Sequence, residues 1–284
     1  DATDTLIGSA TTDALTTRVN SSSGKKNMVI NGAMQVAQRG TSFSVDTVST
    51  QLLDRWKILK STGTFDTTIT QSTDVPSGEG FASSLQIDAD TIQTPATSDN
   101  AGIGYHFEGL DTQSLGYGNS NAKDLTLSFW VKSNKVGTYS FQVHNQPTTG
   151  TATYTLYTYQ VTSSWSKITI NIPRNTGQDT INSTSPGITI YWWLFVGPDD
   201  IYAATDTWTT NPSPTYKAAT GQVNFMDSAA NTFNITGIQL EVGSVATDFE
   251  HRSYGEELAL CQRYYQTSGT VVFWNLSRYS AGSG

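Results

Sequence analysis

The three histidines are the first residues that could carry out acid–base chemistry. They are His106, His144 and His251, and none stands in an HExxH, GxSxG or Ser-His-Asp signature. His106 and His144 alternate with apolar neighbours, which is typical of polar residues on the open face or rim of a strand. We therefore expect structural roles for the histidines, with His251 anchoring a turn by hydrogen bonds.

Paired carboxylates are the second source of chemistry, because glycosidases use two of them to cleave a sugar linkage. The candidate pairs are Glu108 with Asp111 and Asp199 with Asp200, and both lie in or near loop-like sequence. Asp199 and Asp200 follow Gly-Pro, a turn composition, so solvated turns explain them more simply. Clustered oxygens are also what Ca²⁺ prefers, which makes Asp199 and Asp200 the candidate metal ligands. No cofactor other than such a structural calcium ion is indicated.

Aromatic side chains offer sugar binding instead, because their flat faces can meet the C–H faces of pyranose rings. The chain has seven Trp and thirteen Tyr. In LTLSFWVK, Trp130 alternates with Phe129 and Val131 and is therefore expected on the opposite face of a strand. We hypothesise that this face forms a shallow carbohydrate-binding groove, whose members are Trp130, Gln142, His144 and one of Trp192 or Trp193.

Other roles for these tryptophans remain open. Trp130 can instead cover a second core layer, beneath a terminal helix or against another subunit. Trp208 lies in the loop-like sequence TDTWTTNPSPTY, where it can contact a ligand, pack in an oligomer or anchor the loop. Loss of glycan adsorption at unchanged thermal stability in Trp130→Ala would favour the groove, whereas loss of folding would favour the packing role.

The composition narrows the class of protein. Charged residues make up 14% of the chain, against a usual share of about 25%, and Thr, Ser, Asn and Gly take their place. The net charge of −8 argues against nucleic acid as a partner, since phosphate binding needs clustered Lys and Arg. The single cysteine, Cys261, excludes an intrachain disulfide and is expected to be a small buried side chain. No apolar run is long enough to span a membrane.

Runs of alternating apolar and polar residues recur at short intervals from residue 27 onward, which is the period of half-buried strands. Gly32 marks a bulge or a close approach, and prolines fall between the runs, where proline belongs. The predicted strands lie within residues 28–38, 55–59, 67–71, 84–87, 103–108, 125–132, 139–143, 154–161, 167–172, 188–196 and 234–242. The run at 188–196 is apolar on both faces, so it should be central. The pattern predicts an all-β fold, an antiparallel β-sandwich of jelly-roll type.

A capped helix follows the last of these strands. Ser253 and Glu256 fit the pattern of a capping box, in which each side chain bonds the other residue's backbone amide. Leu258, Cys261 and Tyr264 then fall on one stripe of a short helix. The chain is therefore divided into an extended linker or fibre segment at 1–26, a jelly-roll carbohydrate-binding-like domain at 27–250, the capped helix at 251–266, and the start of a further C-terminal strand or tip domain at 267–284.

Several phrases of this sequence resemble one known family. It comprises the tail-fibre and virion attachment proteins of bacteriophages, of the marine or cyanobacterial type, that carry a carbohydrate-binding-module-like jelly roll. The phrases are Asn27–Gly40 (NMVINGAMQVAQRG), Asp54-Arg55-Trp56, Leu125–Ser133 (LTLSFWVKS), Ser164–Pro173 (SWSKITINIP) and Ile238–Gln266. Within the last phrase, the segment EVGSVATDFEHRSYGEELALCQRYYQ is the most specific, whereas LSFWVKS and SWSKITINIP are shared by many secreted sandwich domains.

The resemblance implies a virion protein of the tail-fibre class that works as a homotrimer beside other virion proteins. Its expected role is attachment to a host surface glycan without catalysis, through many weak contacts multiplied by avidity. Neither nucleic-acid binding nor membrane insertion is implied. The alternative is a purely structural virion module, such as a capsid decoration or fibre shaft, and a third is a glycan depolymerase.

Overall fold

The computed structural model describes residues 26–45, 50–60, 65–210 and 217–267. In these ranges the chain is an antiparallel jelly-roll β-sandwich, as the alternating pattern predicts. The predicted linker at 1–26 and the predicted strand at 267–284 lie, apart from Lys26 and Thr267, outside the described residues. No helix within the described ranges has the length and apolar content that a membrane crossing requires.

Two sheets form the sandwich, and their neighbouring strands all run antiparallel. The six-stranded sheet has the spatial order β1 (Ser42–Val45), β4 (Thr67–Ser72), β5 (Ser84–Ala89), β15 (Thr232–Val242), β7 (Leu125–Ser133) and β10 (Ser166–Ile172). The seven-stranded sheet has the order β13 (Thr209–Thr210), β9 (Thr153–Val161), β8 (Gly137–Asn145), β11 (Pro186–Val196), β6 (Asn100–Glu108), β3 (Trp56–Lys60) and β2 (Thr50–Gln51). The doubly apolar β11 lies in the middle of its sheet, which confirms the prediction from its sequence.

Short elements connect the sheets. Two of them, β12 (Ile201–Tyr202) and β14 (Ala218–Ala219), form a small parallel pair outside the sandwich. The helices are α1 (Gly109–Thr112) and α2 (Tyr254–Gln262), with 3-10 turns at Gln113–Leu115, Pro198–Asp200 and Phe225–Asp227. Of the two helices in the described ranges, α2 is the longer, and it buries Glu257 and Cys261.

The core lies between the sheets and is rich in aromatic rings. Trp192 on β11 is fully buried, and its ring contacts those of Trp56, Phe129 and Phe141 at centroid distances of 5.8, 5.7 and 5.3 Å. Rings of this size contribute much of the apolar area that folding removes from water. Of the two alternatives for the surface groove, Trp192 and Trp193, Trp192 therefore belongs to the core.

Residues 28–38 do not form the predicted strand, and two asparagines explain why. The Asn27 side-chain oxygen accepts hydrogen bonds from the backbone amides of Val29 and Leu240, at 2.9 and 3.1 Å. Asn31 has a φ of 61° and bonds both the amide and the carbonyl of Val36 through its side chain, at 2.9 Å each. Side chains therefore satisfy backbone groups that a strand would pair with a neighbour, and the segment closes into turns.

Gly32 in this segment makes the close approach that its sequence position predicts. A Cβ atom at this position would lie 2.1 Å from the carbonyl oxygen of Ile238. The backbone amide of Ile238 also donates a hydrogen bond to the Gly32 carbonyl at 3.0 Å. Only glycine lets the turn lie this close to β15.

The predicted capping box begins α2. Ser253 Oγ accepts from the Glu256 amide at 3.4 Å, and the Glu256 carboxylate accepts from the Ser253 amide at 3.0 Å. Cys261 is buried, as predicted, and burial raises the pKa of its thiol to about 12. Glu257, one turn before it, is also buried, whereas the predicted stripe member Leu258 is only half-buried.

Arg252 attaches this end of the domain to its beginning. Its guanidinium donates to the carbonyls of Val29, at 3.1 Å, and of Asn27, and pairs with Glu250 at 3.1 Å and Glu257 at 3.4 Å. Glu257 also accepts from the Asn31 amide at 2.5 Å. The chain therefore enters the sandwich at Asn27 and leaves it at Arg252 at the same corner.

Candidate functional site

The outer face of the seven-stranded sheet gathers aromatic and polar side chains in rows. Residues that pair across neighbouring strands point to the same side, so the registers define which side chains share a row. We call this surface the outer face. Its first row is Tyr154, His144, Thr189 and His106. Its second row is Leu156, Gln142, Tyr191, Gly104 and Lys57, and its third row is Thr158, Ser140, Trp193, Gly102 and Leu59.

Stacked ring pairs fix the aromatic side chains of the outer face. The His144 and Tyr154 rings are 5.0 Å apart with an interplanar angle of 30°, and those of Tyr191 and Trp193 are 5.2 Å apart at 23°. His106 meets Tyr191 edge to face at 6.4 Å. These offset and edge contacts are favourable geometries, so the rings are held before any ligand arrives.

Two glycines on β6 make room for the neighbouring side chains. A Cβ on Gly102 would lie 2.9 Å from the ring of Trp193, and a Cβ on Gly104 would lie 2.8 Å from Leu59 Cδ1. The side chains of Trp193 and Leu59 can therefore lie across β6. The space above these glycines is therefore taken by the Trp193 ring from the β11 side and by Leu59 and the Lys57 stem from the β3 side.

The chain after β11 covers the third row. We call the described residues of 197–223 the cover segment. Two hydrogen bonds attach it to the sheet: the Ala219 amide donates to Ser140 Oγ at 2.8 Å, and Gln222 Nε2 donates to the Trp193 carbonyl at 3.0 Å. Trp193 is only 4% exposed beneath them, whereas Tyr191 beside it is half-buried. Trp193 thus supports Tyr191. In the first two rows, the side chains that still reach solvent are the half-buried Tyr154, His144, His106, Tyr191 and Lys57.

A buried ion pair joins two residues of the cover segment, and one of them, Asp200, is a candidate calcium ligand. Asp200 is fully buried, and its Oδ2 accepts from Lys217 Nζ at 2.6 Å. Asp199 is exposed. No group of three or more His, Cys, Asp or Glu side chains that could hold a metal ion is found in the described ranges. Asp200 therefore has Lys217 as its ion-pair partner, and its role as a calcium ligand stays a prediction.

The outer face is electrically neutral in its first row near pH 7. Burial lowers the pKa of His106 to about 3, with Lys57 and Arg55 adding to the effect, and burial lowers the pKa of His144 to about 4. His106 Nδ1 lies 3.1 Å from Thr189 Oγ1, and its buried Nε2 has no hydrogen-bond partner among the described residues. A ligand on this row would therefore meet uncharged rings rather than cations.

Acidification should weaken the fold through these two histidines. In the unfolded chain they take up protons near pH 6.5, whereas in the folded protein they stay neutral down to about pH 4 and 3. The unfolded state then binds more protons, so the free energy of unfolding falls as pH falls through this window, by about 1–2 kcal/mol for each histidine at pH 5. Urea denaturation at pH 7 and pH 5 measures this difference.

His144→Gln should reduce the difference in the free energy of unfolding between the two pH values. His251→Gln, which changes an exposed histidine, is the control and should leave that difference unchanged. Equal differences in both variants would contradict the assignment.

The structure brings together only some of the predicted groove residues. Gln142, His144 and Trp193 share the outer face. Trp130 instead lies on the six-stranded sheet, opposite Lys167 and Thr236, where a Cβ on Gly237 would be 3.0 Å from its ring. The hypothesis of one groove that joins Trp130 to His144 is therefore wrong, because the two residues belong to different sheets.

Trp208 lies away from the outer face as well. Its indole Nε1 donates to Pro173 O at 2.5 Å, and its ring meets Tyr117 edge to face at 5.7 Å. The register places His106 and His144 in one row, as their alternation in the sequence suggests. Sequence reasoning missed Tyr154 and Tyr191 as members of the face. Both β9 and β11 carry large side chains on each face, so alternation does not show which of them point outward. Only the strand register shows that the two tyrosines neighbour His144.

Comparisons with known proteins rest on structure alone. No protein-family model matches the chain, and no curated protein matches its sequence. A solved structure of the enzymatically active domain of bacteriophage CBA120 tailspike protein 4 is similar over 76% of this chain and 21% of that one, with 13% identity and a TM-score of 0.41. A family 11 carbohydrate-binding module from Clostridium thermocellum covers 73% and 98%, with 16% identity and a TM-score of 0.34. A CBM22 tandem domain from Paenibacillus barcinonensis Xyn10C covers 82% and 50%, with 14% identity and a TM-score of 0.36.

Proposed function

We propose that the protein is a non-catalytic carbohydrate-binding module that attaches to polysaccharide through the outer face. The observation that supports this most directly is the pair of ring stacks on this face, His144 with Tyr154 and Tyr191 with Trp193. Tyr154 and Tyr191 are half-buried, so each ring is held by its partner and still reaches solvent. Flat, fixed rings of this kind can receive the C–H face of a pyranose.

Polar groups between the stacks can bind the sugar hydroxyls. The half-buried His106 lies in the first row and contacts Tyr191, whereas Thr189 and Gln142 are buried in the same two rows. Lys57 lies at the far end of the second row, and burial lowers the pKa of its ammonium group. A small number of such polar groups beside apolar rings is the usual make-up of a ligand site.

Three of the four carboxylates that could support hydrolysis have other partners, which supports a role without catalysis. Glu108 pairs with Arg263, and Asp111 accepts a hydrogen bond from Tyr264 at 3.2 Å. Asp200 pairs with Lys217. Incubation with bacterial surface polysaccharides should release no reducing sugar, and measurable release would instead favour the depolymerase.

Removing the exposed rings should abolish most of the binding. Tyr191→Ala with Tyr154→Ala is expected to weaken glycan affinity at least about tenfold, because rigid aromatic anchors carry much of the energy of such sites. A glycan array followed by calorimetry on the best ligand measures the loss, and thermal melting shows whether the fold is kept. Trp130→Ala is the matched control, since it removes a ring from the other sheet. Equal losses in both proteins would contradict this assignment of the site.

We further propose, on the resemblance of the sequence to phage tail-fibre proteins, that this module works in a virion. It would act there as a homotrimer, contacting other virion proteins and the host surface glycan, so that weak sites add by avidity. Mass determination in solution tests the trimer, and a stable monomer would count against it. Absence of glycan binding by an intact trimer would favour the purely structural virion module.

A further inference from the structure

A cleft at the edge of the sandwich has the composition of a second binding site. It has a volume of about 450 Å³ and lies between β13 with its flanking residues and the loop after β10. Its lining includes Thr153, Pro173, Arg174, Gln178, Trp208 and Thr210. We propose that this cleft binds an acidic saccharide, with the Trp208 ring against a pyranose face and the Arg174 guanidinium on a sugar carboxylate.

Trp208 forms a wall of the cleft that is fixed in orientation. Its indole Nε1 donates to Pro173 O at 2.5 Å, and its ring packs edge to face on Tyr117, a member of the core, at 5.7 Å. The side chain is only partly buried by these contacts. An anchored indole that still borders open space loses little freedom when a sugar ring stacks on it.

The opposite wall is a loop shaped by one buried asparagine. Asn175 donates from Nδ2 to Thr153 Oγ1 at 2.9 Å. Its Oδ1 accepts from the amides of Gly177 and Gln178, at 3.2 and 3.1 Å. The backbone on either side of Asn175 is therefore held to the edge of the sheet. This arrangement fixes where the side chains of Arg174 and Gln178 begin.

Arg174 supplies the charge that selects the ligand. Its side chain is exposed, and in the described parts of the chain no carboxylate lies within ion-pair distance of its guanidinium. The nearby Asp124 carboxylate instead accepts from the Arg174 backbone amide at 2.8 Å. A guanidinium binds a carboxylate through two parallel hydrogen bonds, a geometry that neutral sugars cannot match. A uronic acid has both the ring and the carboxylate that this cleft can hold.

The cleft is separate from the outer face, so the two sites can be tested independently. Thr209 pairs with Tyr154, which places Thr209 on the side of the outer face. Trp208 and Thr210 are its neighbours along the chain and therefore point to the opposite side of the sheet. A ligand in the cleft and a ligand on the outer face contact different side chains.

Calorimetry with tetragalacturonate, and with the matched neutral galactose tetramer, tests the proposal on the full chain. The acidic tetramer should bind and the neutral one should not enter this cleft. Arg174→Gln should weaken the acidic tetramer's affinity about 10–100-fold, because it removes a charge-assisted hydrogen-bonding pair. Lys167→Gln is the matched control, since it removes one exposed positive charge from β10 outside the cleft, and it should leave the affinity unchanged.

A second pair of variants locates the ligand. Trp208→Phe, which keeps an aromatic ring in the wall, should weaken binding less than Arg174→Gln, and Tyr191→Ala should leave binding of the acidic tetramer intact. Three results would each overturn the proposal. The acidic tetramer does not bind the unaltered protein, or Arg174→Gln and Lys167→Gln bind it with equal affinity, or Tyr191→Ala no longer binds it. The last outcome would place the acidic sugar on the outer face and leave the proposed function standing.

Discussion

Replacing Arg252 with methionine should destabilise the protein by about 3–5 kcal/mol, because it leaves a buried carboxylate without its cation. The Arg252 side chain is 8% exposed and that of its partner Glu257 is 7% exposed. The substitution also removes the donor to the carbonyls of Asn27 and Val29. Buried acceptors that lose their partners add to the cost.

Chemical denaturation measures this loss, and Arg263→Met is its matched control. Arg263 pairs with Glu108 from a side chain that is 54% exposed, so its removal should cost less than about 1 kcal/mol. Both variants replace an arginine near α2 with the same side chain. Equal changes in the free energy of unfolding would show that the corner at Arg252 is not what holds the terminal segment.

Replacing Gly102 with alanine should lower both stability and glycan affinity. The added Cβ would lie 2.5 Å from the carbonyl oxygen of Trp192 and 2.9 Å from the ring of Trp193, so β6 and β11 must move apart. Overpacking of this kind costs about 1–3 kcal/mol. Because Trp193 supports Tyr191 on the outer face, the displacement should also reduce binding of any ligand stacked there.

Thermal melting and calorimetry on Gly102→Ala give both quantities. Gly255→Ala is the control, because nothing lies within 4 Å of a Cβ at that helical position. Alanine favours helix over glycine by up to about 1 kcal/mol, so this variant should be neutral or more stable. If Gly102→Ala loses stability but keeps its glycan affinity, the packing of Trp193 against β6 does not position the binding residues.

Local patterns in the sequence predicted much of the fold. Alternation identified the strands, the Ser253–Glu256 spacing identified the helix cap, and Gly32 marked a close approach. The turn at residues 28–38 was not predicted, because Asn27 and Asn31 replace ladder hydrogen bonds with side-chain bonds to distant backbone. An apolar pattern alone cannot show where such bonds go.

The site was harder to predict, because its composition depends on strand pairing. Alternation shows that Trp130 and His144 each face away from the core, but not that they belong to different sheets. In β11, where both faces are apolar, alternation cannot decide which of Trp192 and Trp193 is in the core. The buried carboxylate of Glu257 was also missed, since its partner Arg252 and its donor Asn31 are brought to it only by the fold.

The meeting of Asn27 and Arg252 at one corner determines how the domain carries a pulling force. Tension applied to the chain at these two points acts across the hydrogen bonds that Arg252 donates to Asn27 and Val29. The Asn27 side chain also bonds Ile238 and Leu240 of β15, so the same tension acts on one strand of the six-stranded sheet. The outer face belongs to the other sheet and therefore lies away from the residues that first bear the load.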